Sequence, residues 1–339
     1  MERAEWIAKM VDCLAFEEGD LARETEAINL KYEHRPKSVF KYRAVDDKGY
    51  SLQNLERDCV WVCSPTAYND PYDSSLSISI HILVKGVIRD GVKSIIENEL
   101  AGQIDDAKSS QILESDNPGL ALQELVMVKD GLSEEDQAAY RQWLTVQMDA
   151  YERIAAAKLP ESHKESLKIC SFSEMSDSIT MWSHYADQHQ GFCIEYGVED
   201  LPPSDMFVRM LYPVVYSERL FDATRYFQAA IRDRTKFNIL FPALAALYKS
   251  PEWSYEKEWR LVIPANLVKQ ASAWRVPRPK AVYLGSRMTE EKRAEVIGIC
   301  RRKGIAVFQM SLAPDSFCLR SDSIVKADEE GATGPTEKS

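Results

Sequence analysis

No apolar run in this 339-residue sequence approaches the roughly 20 residues that a membrane helix needs. Excess positive charge is missing too: 42 Lys and Arg stand against 53 Asp and Glu, a formal charge of −11. That excludes nucleic-acid binding by bulk positive charge, though not through a local basic strip. No CxxC pair occurs among the seven cysteines, and no second ligand pair accompanies Cys59 and Cys63, so no metal is expected. The odd number of cysteines, scattered through apolar runs, fits reduced, buried thiols. GxGxxG and the P-loop are absent, which removes the ordinary Rossmann and P-loop nucleotide sites. GxSxG and HExxH are absent as well, which removes the hydrolase elbow and the helical zinc motif. The start, MERAEWIAKMVDCL, carries acids and no long apolar segment, unlike a secretion signal. A cytoplasmic protein that does not enter the membrane is expected.

What is present is concentrated in Cys170 to Tyr196, CSFSEMSDSITMWSHYADQHQGFCIEY. It reads as strand, turn, short helix, tight turn, strand. Ser171 and Ser173 end the first strand, and Ser176 or Asp177 caps the helix. Met181, Trp182, Tyr185 and His189 fall on one helical face, with Gly191 as the stop. Phe192, Ile194 and Tyr196 then alternate with Cys193 and Glu195 as in a half-buried strand. A strand–helix–strand core unit whose aromatics fill space accounts for the same pattern.

In chain order, residues 1–36 predict a helical extension that packs on the body or makes a homo-oligomer with a second copy. A single α+β domain follows over 37–320. Val39 to Arg43 and Asp58 to Ser64 read as strands, and Leu76 to Ile88 as a strand or linking segment. The intervening loop holds Tyr68, Asn69, Asp70, Pro71 and Asp73. It serves equally as turn chemistry and as the lip of a site. Residues 89–166 predict a helical insertion whose last helix starts at Ser133 and closes at Pro160. Met206 to Tyr216 suggests a kinked strand or strand pair, and Arg219 to Lys249 two helices. From Tyr255 the sequence alternates as a strand. Ala281 to Gly285, a helix capped by Thr289, and Ile305 to Met310 make a β-α-β unit. The tail, 326–339, has a disordered composition.

Glu256 and Glu258 are the sharpest chemical feature. On a strand, carboxylates at i and i+2 point the same way about 7 Å apart. Like charges so placed need neutralising, and Arg260 lies on the same face. A solvated edge-strand stripe would show the same residues. His184 and His189, five apart, do not share a helix face, so each reads more naturally as a satisfied polar histidine than as a base or metal ligand.

The segments FKYR, SPTAYNDPYD, CSFSE, MWSHYADQHQGFCIEY and WSYEKEWRL together resemble an uncharacterised bacterial family, domain of unknown function 2971, over roughly residues 38–310. That resemblance supplies no activity. It carries an association with mobile and phage-defence loci, and so points to a toxin or anti-phage effector. More distantly, Arg43, Ser171-Phe-Ser173 and Glu256-Lys-Glu258 are similar in order to the Arg, Ser-x-Ser and Glu-x-Glu of arginine-type ADP-ribosyltransferases. This second resemblance implies a split β-sheet core and NAD as substrate. Arg43 would hold the pyrophosphate, with Ser171 and Ser173 steadying the nicotinamide-ribose strand. Trp182 or Tyr185 would stack on nicotinamide, with His184 and Asn69 beside the ligand. Glu258 would bind the ribose hydroxyl and Glu256 would orient or deprotonate a macromolecular acceptor. Two other readings stand: a non-enzymatic sensor or protein-interaction module, and a metal-dependent hydrolase using Asp70, Asp73, Glu256 and His184.

Overall fold

The computed structural model describes residues 1–16, 20–129, 133–233, 238, 240–268 and 272–326. Eight strands form the main sheet: β1 (Ser38–Arg43), β2 (Leu167–Ser173), β3 (Phe192–Gly197), β4 (Leu211–Pro213), β5 (Glu258–Pro264), β6 (Ala281–Leu284), β7 (Ala306–Leu312) and β8 (Leu319–Val325). They lie in the order β8-β7-β6-β3-β1-β2-β5-β4. Every neighbouring pair is antiparallel except β6 and β7. The helices that matter here are α1 (Arg3–Leu14), α2 (Leu21–His34), α3 (Ile80–Asn98), α4 (Asp106–Glu114), α5 (Pro118–Lys129), α6 (Glu134–Glu165), α7 (Ile179–Tyr185) and α8 (Glu290–Lys303). The architecture is mixed α+β, as the sequence predicts.

One face of the sheet carries the main core. Val39, Phe172, Ile194 and Leu261 meet Trp6 and Met10 of α1 and Val296 of α8 there. The other face holds a smaller cluster in which Tyr42 and Cys193 pack on Met181 and Trp182 of α7. Because β3 lies inside the sheet and is covered on both sides, Phe192 to Tyr196 are all buried. The alternation in its sequence therefore does not yield a wet face. Glu195 tolerates this because Ser38 Oγ donates to it at 2.7 Å and Tyr283 Oη at 2.8 Å.

The parallel pair β6–β7 is bridged by α8, the β-α-β unit expected from the sequence. Thr289 caps α8 by accepting from the Lys292 amide, Glu290 and Glu291 occupy its first turn, and Arg301, Arg302 and Lys303 its last. Each charge opposes the helix dipole end it sits on, and Gly304 closes the helix in the left-handed conformation.

Elsewhere the local reading fails in instructive ways. Pro160 does not close the last insertion helix; α6 runs through it to Glu165. One ladder bond is lost, but the final turns are anchored by buried His163 and by Lys164 Nζ donating to the Pro71 carbonyl at 2.7 Å. Leu76 to Ile88 is two residues of strand followed by the start of α3. Met206–Met210 is a short helix capped by Asp205, and only then does β4 begin. Within Arg219 to Lys249, Phe221–Asp222 and Tyr248–Lys249 are strands flanking the helices Thr224–Arg232 and Phe241–Ala245. Within Cys170 to Tyr196, Ser178, not Ser176 or Asp177, caps α7. The helix ends at Tyr185, so His189 leaves its face and sits in a turn where Asp187, Gln188 and His189 all have positive φ. The tail read as disordered lies, from residue 327 on, outside the described residues.

Candidate functional site

Strands β1 and β2 are neighbours, yet they pair only at Phe40 and Ser173. Beyond that point they separate. Ile169 of β2 exchanges backbone hydrogen bonds with Cys63 instead, at 2.8 and 3.2 Å. The gap opens a cleft of about 220 Å³. Lys41 reaches into it and donates from Nζ to the Ser171 carbonyl at 2.7 Å, taking an acceptor on the unpaired edge of β2. At the end of β1 Gly191 leaves no room for a side chain, because a Cβ there would collide with the carbonyl oxygen of Arg43.

The far wall is a buried charge cluster. Glu256 does not lie on a strand: Pro251–Glu256 is a 3-10 turn, Lys257 takes a left-handed conformation at φ 43°, and β5 starts at Glu258. The expected i, i+2 strand geometry is thus replaced by a turn. It nonetheless turns both carboxylates toward Lys249, whose Nζ lies 2.5 Å from Glu256 Oε2 and 2.8 Å from Glu258 Oε2. Neither acid is the solvated stripe that the sequence also allowed, since Glu256 is 3% exposed and Glu258 1%.

Arg260 completes the cluster. Its Nε donates to Glu258 Oε1 at 2.8 Å, and its Nη2 to Asp73 Oδ2 at 2.8 Å and Glu258 Oε2 at 3.2 Å. Its Nη1 donates to Ser74 Oγ and to the Ala246 carbonyl. Every N–H of the guanidinium has an acceptor, which is what a fully buried charge requires.

Two cations face three acids, and the balance is uneven. Burial works against the Glu258 carboxylate, but Arg260 and Lys249 outweigh it and hold its pKa well below the usual range. Glu256 is pushed the other way, by burial first and by the Glu258 charge second. Burial lowers the Lys249 ammonium's pKa, but Glu258, Glu256 and Asp73 more than reverse it. Tyr185 donates from Oη to Glu256 Oε1 at 2.7 Å. Across the cleft, burial pulls Lys41 down, and among the described residues no carboxylate pairs with it. Arg43 makes no side-chain hydrogen bond or ion pair among the described residues.

Of the residues singled out from the sequence, Arg43, Asn69, Ser171, Ser173, Tyr185, Glu256 and Glu258 line this one cleft. Trp182 does not. It is sealed beneath Tyr42, with Nε1 donating to the Ser176 carbonyl, and no ligand can stack on it. His184 is exposed outside the cleft, with Nδ1 3.2 Å from Tyr255 Oη. The Ser173 hydroxyl is committed to the Glu256 carbonyl at 2.7 Å and the Met175 amide at 3.1 Å, so it holds the turn rather than a ligand. Lys41 and Lys249 escaped the sequence reading. Lys41 shares a strand face with Arg43 in FKYR, a signal that was there to use. Asp70, the remaining acid of the metal-hydrolase reading, binds the Trp253 indole at 3.0 Å, and no metal-holding group of side chains forms among the described residues.

Residues 181–261 match the family model described as Protein of unknown function (DUF2971). The resemblance holds there. The DUF2971 stretch runs from α7 through β3 into β5, and it supplies Tyr185, Lys249, Glu256, Glu258 and Arg260. Lys41, Arg43, Asp73 and Ser171 come from outside it, so only one wall of the cleft lies within the matched segment. No curated protein and no solved structure matches the chain.

Proposed function

We propose that the cleft binds NAD and acts on its nicotinamide–ribose bond, in the manner of an ADP-ribosyltransferase or an NAD-cleaving enzyme. The observation that carries this reading is the meeting of Arg43, Ser171 and the Glu256–Glu258 pair, from three distant parts of the chain, at one gap in the sheet. Among the described residues Lys41 and Arg43 have no anionic partner, and both suit a phosphate. Tyr185 offers a ring at the wall.

Acceptor capacity divides the labour between the two acids. A carboxylate has about four lone-pair positions. Glu258 commits three of them to Arg260 and Lys249, leaving one for a ribose hydroxyl. Glu256 commits two, and its raised pKa suits a proton acceptor. In the step itself the bond from C1′ to the nicotinamide nitrogen breaks, and its electron pair leaves with nicotinamide. A lone pair of the acceptor, protein or water, forms the new bond to C1′, and Glu256 takes the acceptor's proton.

Release of nicotinamide from NAD, followed by chromatography with and without cell lysate, tests this. The wild-type chain should release it, and Glu256→Gln, compared at equal folded fraction because it also breaks a buried ion pair, should lose at least tenfold in rate. Lys249 retains Glu258 and Asp73 in that variant. No release under any condition sinks the enzyme reading.

One observation favours a second reading. The Glu258 carboxylate is so heavily ion-paired that it resembles a structural cluster more than a reactive one. A binding module that holds a nucleotide as a signal, without turnover, would look the same. In that case NAD binds the cleft and is recovered intact.

A further inference from the structure

The turn that carries both acids is held from behind by the N-terminal helix. Lys257, between Glu256 and Glu258, lies in the left-handed region at φ 43° and ψ 53°. A residue with a Cβ stays there only when its surroundings impose it. Several contacts do so here. Glu174 donates its amide to the Lys257 carbonyl at 3.2 Å. The Glu258 amide donates to Tyr216 Oη at 2.9 Å, and the Glu258 carbonyl accepts from the Val214 amide at 3.0 Å. A further contact comes from the first residue of α1, 255 positions away. Arg3 Nη2 donates to the same Glu258 carbonyl at 3.1 Å, while its Nε donates to Glu174 Oε1 at 3.0 Å.

Glu174 joins these contacts to β5. Its Oε1 also accepts from the Trp259 indole at 2.6 Å, so one carboxylate oxygen ties α1 to the residue that follows Glu258. Trp6, one turn along α1, packs its ring 6.0 Å from that of Trp259. Side chains alternate along a strand, so Trp259 points into the main core while Glu258 and Arg260 build the charge cluster on the other face. The helix thus presses on the reverse of the residue between them. Arg3 itself does not line the cleft. The Arg3 and Glu174 side chains are 27% and 23% exposed, so either can be changed without opening the core.

We propose that Arg3 is a positioning residue of the cleft: acting through Glu174 and the Glu258 carbonyl, it fixes the turn that aims Glu256 and Glu258 at Lys249. Its chemistry suits the task. A guanidinium fork reaches a carboxylate and a backbone carbonyl at once, which a single ammonium does less well. The pin does not depend on what the cleft binds, whereas its effect on turnover rests on the NAD reading.

Hydrogen exchange of the full chain, read by mass spectrometry, tests the pin, and nicotinamide release from NAD tests its consequence. In Arg3→Ala the amides of residues 254–260 should exchange about tenfold faster, the worth of one charge-assisted hydrogen bond, with β6 and β7 unchanged. The kcat for nicotinamide release should fall about 10- to 100-fold at an unchanged KM, since a misaimed acid slows the step without loosening the ligand. Arg3→Lys should recover part of both losses. Unchanged exchange at 254–260 overturns the proposal, whatever the cleft binds. So does a rise shared equally by β6 and β7, which marks general loosening, and so does a wild-type kcat in Arg3→Ala. If exchange responds as stated and wild type releases no nicotinamide, the pin stands and the NAD reading alone falls.

Discussion

Arg260 Nε donates to Glu258 Oε1 at 2.8 Å, two residues apart on β5 with both side chains sealed from solvent. The consequence concerns stability as much as chemistry. From the sequence alone, Glu258→Gln is expected to remove activity and leave the melting temperature nearly unchanged. The buried pair says otherwise. Removing the charge leaves Arg260 and Lys249 undercompensated, and breaking such a pair costs about 3–5 kcal/mol. Urea denaturation of Glu258→Gln at pH 7 should show a loss of this order. Because the folded pKa is depressed, the contribution is complete above the unfolded value of about 4.5 and is lost only as pH falls through the depressed folded value. The deficit should therefore persist at pH 5 and shrink only in stronger acid.

His163, in the last turn of α6, is buried beside Phe241, and among the described residues neither ring nitrogen has a hydrogen-bond partner. Burial, with Lys164 adding to it, pushes its pKa down to about 4. The unfolded chain, near 6.5, binds this proton more tightly than the folded one. Stability from the neutral ring is therefore intact above pH 6.5 and is lost as pH falls toward 4. At most about 3.5 kcal/mol is involved, at 1.36 kcal/mol per unit. His163→Phe should flatten the decline in melting temperature over that window, and an identical decline in the variant would refute the assignment.

Gly191 stands where a side chain has no room. A methyl group there would collide with the Arg43 carbonyl and press on the backbone of Ala186 at 3.0 Å. Because backbone cannot rotate aside as a flexible side chain can, Gly191→Ala should destabilise by about 1–3 kcal/mol or more. It should also weaken any ligand that uses Arg43. Calorimetric melting checks the first effect, and titration of the folded fraction the second.

What the sequence revealed of this molecule, and what it concealed, follows physical lines. The β-α-β unit around α8 was legible because its cap, charges and closing glycine are all local. Arg43, Ser171 and Glu258 were legible as an ordered set, and they do meet. The partners that decide their chemistry were not. Lys249 sits in a stretch whose spacing reads as helix, while a two-residue strand, Tyr248–Lys249, pairs it with Val215–Tyr216 and turns it into the cluster. Asp73 reaches Arg260 across 187 positions, a distance no local pattern encodes. The Glu256 turn was hidden because Lys257, rather than Gly or Asn, adopts the left-handed conformation. Trp182 misled because an aromatic at helical spacing looks the same whether it fills a core or faces a ligand.

The central claim is that Lys41 and Arg43 form the anion-binding side of a nucleotide cleft. Arg43 suits a test because no neighbour depends on its side chain, so Arg43→Ala should melt with wild type. Titration calorimetry of NAD into both proteins at the same low salt measures the claim directly. The prediction is saturable binding by wild type and an affinity about 10- to 100-fold weaker in Arg43→Ala, the worth of a charged hydrogen bond. No binding by wild type, or equal affinities in the two proteins, would contradict it.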